Sequence, residues 1–543
     1  MLLLAAIVLT APIYYFGMPA GNDLPQHFRF VQTFYEAVHS GTVYPAWPGS
    51  TNLGFGDVGI RFYPPLAYYS VVLFRTFAQS WTTAFAVTIC FWFFIGGVGM
   101  YLLARDSFSE KASTGAALIF MAMPYHANQV YNAGLFAEFV GLAILPFCFL
   151  FLRRTISTGG WTDMAALSIA YALLILAHLP LAIIGSLGLL IYALAAIEKK
   201  SLTPTLLKLG AAVLTALAAT AFYWVRMVSE LAYVNHSGAE FTGQSYDFHR
   251  NFLGSIFYLP AADYAETSLW FTDLLFAITL AMIVPTVIGF FLSRKNIPRS
   301  RIVPFLAVCT FAIVVATPLS LWIWESFEPL RKIQFPWRFL GLISLAGSFL
   351  IAAGLDELPS IFKTKLRPVG LIASGLIIAG VVFTGTQVMR PANYSSRVEF
   401  DEQFDKYRSD DSYECWWPVW ARRDAFSNRE RAYSATRSVA IVEWRDEDRS
   451  FVVDEGGNST LRIATFYYPF WKAIVNGENA SVTPAEDGTL TIAVPSQRSD
   501  VRLFFAQPLY ETVAGYLSLT IWLLLGIGLI IGRATKLKRP DLS

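Results

Sequence analysis

Apolar residues in this chain run in long, nearly unbroken stretches rather than at the alternating spacing of half-buried strands. A helix needs about 20 apolar residues to cross roughly 30 Å of hydrocarbon. Stretches of that order begin near residues 2, 81, 112, 135, 162, 180, 203, 269, 300, 336, 368 and 511, which predicts about twelve spans. Residues 63–80, YPPLAYYSVVLFRTFAQS, are almost as apolar but open on Pro-Pro and carry Arg75. Counted as a span, they would throw every later basic loop to the far side. Left out, the loops holding Arg105 and Lys111, Arg153 and Arg154, Lys199, Lys200 and Lys208, Arg294, Lys295, Arg299 and Arg301, Lys363, Lys365 and Arg367, and the basic tail all share one side. The positive-inside rule makes that side cytoplasmic. Residues 63–80 are then re-entrant or juxtamembrane, and both termini are cytoplasmic. The outer face receives residues 18–80, 124–138, 226–268, 318–339 and 390–508. The first stretch lacks a basic leading segment and a small-residue cleavage site, so it reads as an uncleaved anchor.

Between residues 390 and 508 the pattern changes to dense mixed charge and then to short alternating runs. SVAIVEW, SFVVDE, STLRIATFYY, KAIVNG, TLTIAV and VRLFFA are strand-like, with turn signals at Asn476-Gly477 and Asp487-Gly488. The expected fold class is an α-helical polytopic membrane protein with a small extracytoplasmic β-sandwich near the C-terminus. Its parts are a transmembrane domain over 1–389 with an outer loop at 18–80, the β-rich domain over 390–508, and a final span with a basic tail over 509–543. No fixed-period repeat is visible, which weighs against a solenoid and against a transporter built from duplicated halves.

Composition agrees with that class: 55% of the 543 residues are hydrophobic and 15% charged, and the mean hydropathy is +0.48. A formal charge of +2 leaves no electrostatic footprint for nucleic acid. Cys90, Cys148 and Cys309 lie in apolar stretches and Cys415 stands apart, so neither a disulfide framework nor a CxxC metal site can be drawn.

The chemistry concentrates in residues 21–66. Asp23 and His27 share one helical face. Asp23 opens D-L-P-Q, which also suits an N-cap with Pro25 in the first turn and Gln26 closing a capping box. A capping carboxylate has a fixed direction, as a catalytic base requires. Glu138, in AGLFAEFVGLAILPF, sits near the outer end of an otherwise uncharged helix, where a carboxylate calls for a partner or a function. His126 in MPYHAN and His178 in AHLP fall at the same outer level. Together Asp23, His27, His126 and Glu138 could hold a divalent cation, although no motif spacing demands one. On the outer turn, Arg331, Lys332 and Arg338 break the positive-inside pattern. An arginine fork matches phosphate oxygens, whereas pairing with Glu325, Glu328 or lipid headgroups is the ordinary alternative. Arg61 and Arg226 are further candidates for the phosphate. Tyr44, Trp47 and Trp337 offer faces to a sugar or a prenyl chain, as interfacial aromatics often do.

The order of GNDLPQH, GTVYPAW, GFGDVGIRFYPPL, MPYH, GLFAEFVGLAILPF, RKIQFPWRFL and FYYPFWKAIVNG resembles the bacterial YfhO-like membrane proteins. It also resembles their relatives labelled with a 6-pyruvoyl-tetrahydropterin-synthase-related domain, over nearly the whole chain. That resemblance implies the GT-C class of glycosyltransferases, in which an acidic residue of the first outer loop, here Asp23, holds the catalytic position. It implies a multi-pass protein of the bacterial cytoplasmic membrane, with its active face outward. A polyprenyl-phosphate sugar would be the donor, and a glycan, lipid or polymer of the envelope the acceptor. Glu138 is the second acidic candidate, and no Asp-Asp or Glu-Asp pair occurs in the first outer loop. The pterin part of the label has no counterpart in the residues, because His27, His39, His126, His178, His236 and His249 are scattered rather than clustered as in a zinc site. A transporter or flippase would instead place carboxylates or broken helices near mid-membrane in both halves. A scaffold for envelope polysaccharide assembly would keep the β domain and tolerate loss of Asp23.

Overall fold

The computed structural model describes residues 1–198, 201–236, 246–260, 269–293, 298–408 and 414–537. Lys199, Lys200, Arg294, Lys295 and the tail beyond residue 537 lie outside the described residues. Among the described residues, eight helices are long and apolar enough to cross a membrane, or nine if Ser300–Ala316 and Pro318–Ser326, bent by 85° at Thr317, count as one. The remaining expected spans are shorter. Leu2–Phe16 has 15 residues, Glu110–Met121 has 12 and Trp161–Ala177 has 17, and at 1.5 Å per residue these reach only about 18–26 Å. The ambiguous stretch forms a 10-residue helix, Leu66–Arg75, half the length of a span.

Burial separates centre from rim. In Phe136–Thr158 and Pro336–Ile361, 83% and 89% of the apolar window is enclosed by neighbours, against 17% in the last span, Leu509–Ile531. The last span lies against Leu202–Ala219 and Ala221–Glu230, where the Trp522 indole donates to the Ala219 carbonyl at 2.9 Å. Helix Trp81–Arg105 shows the two ends of the bundle. At its start the Thr82 amide donates to Asp401 at 2.8 Å. At its finish Asp106 receives both arms of the Arg154 fork at 2.8 Å, and Arg301 reaches the Ser107 carbonyl. Part of the basic loop set therefore gathers at one end and the β-rich region at the other.

That region is a sandwich of two antiparallel sheets. Four strands run in the order Ala432–Tyr433, Ser459–Phe466, Thr489–Val494, Val482–Pro484. Five run Val439–Trp444, Asp448–Val453, Ser499–Phe505, Trp471–Val475, Glu478–Ala480. All six predicted runs are strands, because their alternation puts Phe451, Val453, Leu461, Ile463, Leu490, Ile492, Val501 and Leu503 into one core. Asn476 and Gly477 both take positive φ, 52° and 88°, as the hairpin turn between adjacent strands demands. The loop after the first helix is built into this domain: Trp47 and Phe55 belong to the sandwich core. Further back, Met18 and Pro19 pair antiparallel with Ser395 and Tyr394.

Candidate active site

Two chain crossings bring the site together. Gly21 and Gly134 pass so closely that a Cβ on Gly21 would come within 2.5 Å of the Gly134 Cα, and Gly134 holds φ +70°, a conformation and a distance open to glycine. This fixes Gly21, two residues before Asp23, against the loop that starts the Glu138 helix. The second crossing is the turn ahead of Leu340–Ile361. There Gln334 adopts φ +69°, and Arg338 donates from Nη1 to the Ile333 carbonyl at 2.9 Å, tying the turn to itself.

Asp23 occupies the N-cap of Leu24–His39, with Pro25 in the first turn, but its backbone is helical (φ −93°, ψ −8°) and its side chain caps nothing. The capping box expected from D-L-P-Q is absent for that reason: a side chain reaches back to the helix amides from extended backbone, not from the helical region. The carboxylate is left partly exposed and, among the described residues, without a hydrogen bond. Burial pushes its pKa above the ordinary value while the Arg338 guanidinium pulls it down.

Glu138 is enclosed, with 1% of its surface exposed. Its Oε1 accepts from the Tyr125 hydroxyl at 2.5 Å and from the Gln129 amide at 2.9 Å. Its Oε2 lies 3.2 Å from Arg338 Nε without the alignment of a hydrogen bond. Asp23 and Glu138 are within electrostatic reach of each other. Arg338 rests over the rings of Phe335 at 4.9 Å and Trp337 at 5.7 Å, and those rings stack 5.1 Å apart. Nη1 goes to its own turn and Nε faces Glu138, whereas Nη2 donates to no described group. Tyr63 stands in the same field, with burial and then Asp23 raising its pKa and Arg338 opposing them.

His27 is 3% exposed, and its Nδ1 lies 2.9 Å from the Tyr68 hydroxyl. Burial lowers its pKa to about 3, so the ring is neutral at physiological pH. His178 is within reach of Arg338 and His27, and its Nδ1 accepts from the Leu181 amide at 3.3 Å as the N-cap of Leu179–Ala196. His126 packs edge-on against Phe120 at 4.3 Å. Among the described residues no three His, Cys, Asp or Glu side chains are placed to share a metal ion, so Asp23, His27, His126 and Glu138 do not form one ligand set.

The other candidates lie elsewhere, each for a physical reason. Arg331 folds back onto the Trp324 and Glu325 carbonyls at the end of a short helix, and Lys332 is an exposed partner of Glu328 at 3.7 Å. Neither is gathered with Asp23; of the three basic residues only Arg338 is. Trp47 is 1% exposed and wedged against Trp471, Tyr468 and Phe505, which leaves no face for a sugar. The Tyr44 ring lies under Arg226 at 4.5 Å.

Arg61 and Arg226 belong to a second buried assembly. Arg61 grips Glu230 with two bonds of 2.6 Å and also binds Glu511. Arg226 holds Glu511 at 2.5 and 2.9 Å. The Tyr468 hydroxyl donates to Glu230 at 2.6 Å and Tyr510 at 3.3 Å. The spare arms reach the Ala46 and Pro45 carbonyls. Loop, helix Ala221–Glu230, sandwich and last span are thus fastened at one point, and the arginines' charge is taken up by two carboxylates.

Tyr63, Tyr125 and Gln129 are residues of the site that motif reading passed over. Tyr125 and Gln129 stand four apart in MPYHANQ, a helical spacing that puts both on one face, and that was the available signal. Tyr63 had only its place before Pro-Pro.

Residues 60–387 match the model of the 6-pyruvoyl-tetrahydropterin synthase related domain, a membrane-protein family. The chain belongs to this family. The match takes in Tyr63, Glu138 and Arg338, and begins after Asp23. No curated protein matches the sequence. Among solved structures, the chain is similar to the arabinofuranosyltransferase AftD from Mycobacteria, with 14% identity, a TM-score of 0.45, and 72% of this chain and 27% of that one covered. It is also similar to ArnT from Cupriavidus metallidurans bound to undecaprenyl phosphate (14%, TM-score 0.43, 75% and 74%). A third is the archaeal oligosaccharyltransferase AglB from Archaeoglobus fulgidus, in complex with an inhibitory peptide and a dolichol-phosphate (13%, TM-score 0.43, 73% and 56%). The chain spans about a quarter of the length of the arabinofuranosyltransferase.

Proposed function

We propose that this protein is a membrane glycosyltransferase that takes a sugar from a polyprenyl-phosphate donor and passes it, with inversion, to an envelope acceptor at the β-domain face. The observation that carries the reading is that two charges with unmet bonding capacity lie in one electrostatic field. Among the described residues Asp23 is a carboxylate with no hydrogen bond, its pKa is raised above the ordinary value, and within its field lies Arg338, a buried guanidinium whose Nη2 donates to none of them.

In the proposed step Asp23 accepts the proton of an acceptor hydroxyl, whose oxygen attacks the anomeric carbon. The bond from that carbon to the phosphate oxygen breaks on the opposite face, and polyprenyl phosphate departs with the electron pair. A base with a moderately raised pKa suits this role. The departing phosphate needs positive charge, which Arg338 supplies as charge develops. Glu138, fixed by Tyr125 and Gln129, holds the guanidinium in place. Because nucleotide sugars stay in the cytoplasm, a site on the outer side of the bacterial cytoplasmic membrane would draw on a lipid-borne donor.

The test is sugar incorporation into envelope glycans by full-length Asp23→Asn and, separately, Glu138→Gln. Loss in the first with the protein folded supports the reading. Full transfer by Asp23→Asn overturns it and favours a scaffold.

A further inference from the structure

Helix Leu24–His39, which Asp23 opens, carries a second polar group about 14–20 Å further along its axis, and nothing in the proposed transfer uses it. Gln32, Tyr35 and Glu36 from this helix, Arg75, Trp81 and Asp405 line a cleft of about 250 Å³. Three separate segments close it: the end of Leu66–Arg75, the first residue of Trp81–Arg105, and the stretch around Phe404.

Gln32 is 4% exposed. Its Nε2 donates to the Phe404 carbonyl at 2.7 Å and reaches Asp405 at 3.5 Å, which sets the amide orientation and leaves the buried Oε1 without a partner among the described residues. A buried amide oxygen without a donor costs stability, and a ligand hydroxyl would remove that cost. Arg75 has a matching deficit. Nη1 binds the Ala78 carbonyl at 2.6 Å, while its buried Nε has no partner among the described residues. The guanidinium covers one face of Trp81 at 4.8 Å, and Phe404 stacks on the other at 4.3 Å. Recognition here therefore falls to polar groups rather than to a ring face.

The lining offers the Gln32 amide oxygen and the Asp405 carboxylate as acceptors and the Arg75 guanidinium as donor. A phosphate would meet the negative charge of Asp405, and a cation would meet Arg75. Sugar hydroxyls, which donate and accept at once, satisfy both. We infer that this cleft binds a neutral sugar unit. Resting on the transfer reading, that unit is a distal ring of the acceptor glycan, held one helix face away from the hydroxyl presented to Asp23.

The experiment is saturation-transfer NMR on the full chain in detergent, with methyl β-glucopyranoside, N-acetylglucosamine and inorganic phosphate as probes. The expected result is a response to a sugar that weakens about tenfold in affinity in Gln32→Leu and in the near-isosteric Asp405→Asn, and that is unchanged in Asp23→Asn. In transfer assays Asp405→Asn raises the acceptor KM and leaves kcat in place. No response to either sugar, an equal response in both cleft variants, or a response to phosphate alone overturns the inference. Because Asp23→Asn reads the reaction and Asp405→Asn reads the cleft, failure of one is distinct from failure of the other.

Discussion

Two buried arginine–carboxylate assemblies sit on the β-domain side of this protein, and they differ in how completely their groups are satisfied. Around Arg61, two arginines face two carboxylates, two tyrosine hydroxyls fill remaining acceptor positions and backbone carbonyls take spare donors. Around Arg338 the donors are partly idle, the contact with Glu138 is not aligned as a hydrogen bond, and Asp23 stands close by with none. A saturated network fastens parts together; a network with unmet capacity in a partly open place is where a ligand's charge can be received. The protonation behaviour follows the same division. Burial works against the charge on Glu230, yet the Arg61 fork and Tyr468 outweigh it and hold its pKa below the ordinary range. Glu230 therefore contributes stability that is present above about pH 4.3 and lost as pH falls through its depressed value. Asp23 is shifted the other way, so its contribution is present below about pH 3.9 and lost as pH rises through its raised value.

The largest expected break in this comparison is Asp23→Asn. Loss of a general base lowers turnover by about 10²–10⁴-fold. Because the ionised carboxylate is held at a cost to the fold, the melting temperature rises at neutral pH while transfer collapses, and thermal unfolding beside a transfer assay reads both. Arg61→Ala is the mirror image. It strands Glu230 and part of Glu511 in a buried place, and removing one partner of such a set costs about 3–5 kcal/mol. The melting temperature falls, and Arg61→Leu combined with Glu230→Leu recovers much of the loss.

Next comes Arg338→Gln. Removing a positive group that meets developing charge costs about 10²–10³-fold in kcat. It also carries a signature that a purely structural role would lack. Arg338 lowers the pKa of Asp23, so without it the carboxylate binds its proton more tightly and the acid limb of the pH–rate profile moves to higher pH. An unchanged limb would mean that the two groups do not share a site.

Much of this was legible in the chain, for reasons that can be named. Uninterrupted apolar runs announce spans, and alternation with Asn-Gly and Asp-Gly turns announces the sandwich strands; both are local signals. The stretch holding Leu66–Arg75 was recognisable as no span because counting it would throw every later basic loop to the far side. Span number was less legible, since Leu2–Phe16 stops at Gly17 and Glu110–Met121 stops just before Pro124, where a new short helix begins, without any loss of apolar character. The site divides the same way. A lone acid after an apolar run, or in an uncharged helix, stands out, which is what singled out Asp23 and Glu138 as candidates. Which arginine each would meet was not. Arg61, Arg226, Arg331 and Arg338 are similar in composition and setting, and only long-range folding decides that Glu230 and Glu511 occupy the first two, that backbone carbonyls occupy the third, and that the fourth retains an idle donor. Trp47 was misjudged for the same reason, because the sandwich that buries it lies some 400 residues downstream.

The smallest expected effect sharpens the comparison from outside. Lys332 and Glu328 form an ion pair at 3.7 Å with 68% and 75% of their side chains exposed, four residues apart in the same turn that presents Arg338. Exposed pairs of this spacing contribute about 0.3–0.5 kcal/mol and are screened by salt. Lys332→Gln is therefore expected to shift the melting temperature by about a degree or less and to leave the donor KM and the acid limb where they are. If phosphate recognition depended on the general basic character of the turn, Lys332→Gln would raise the donor KM at low ionic strength and the effect would fade with added salt. A flat response across ionic strength assigns the phosphate to Arg338, whose surroundings are buried and poorly screened.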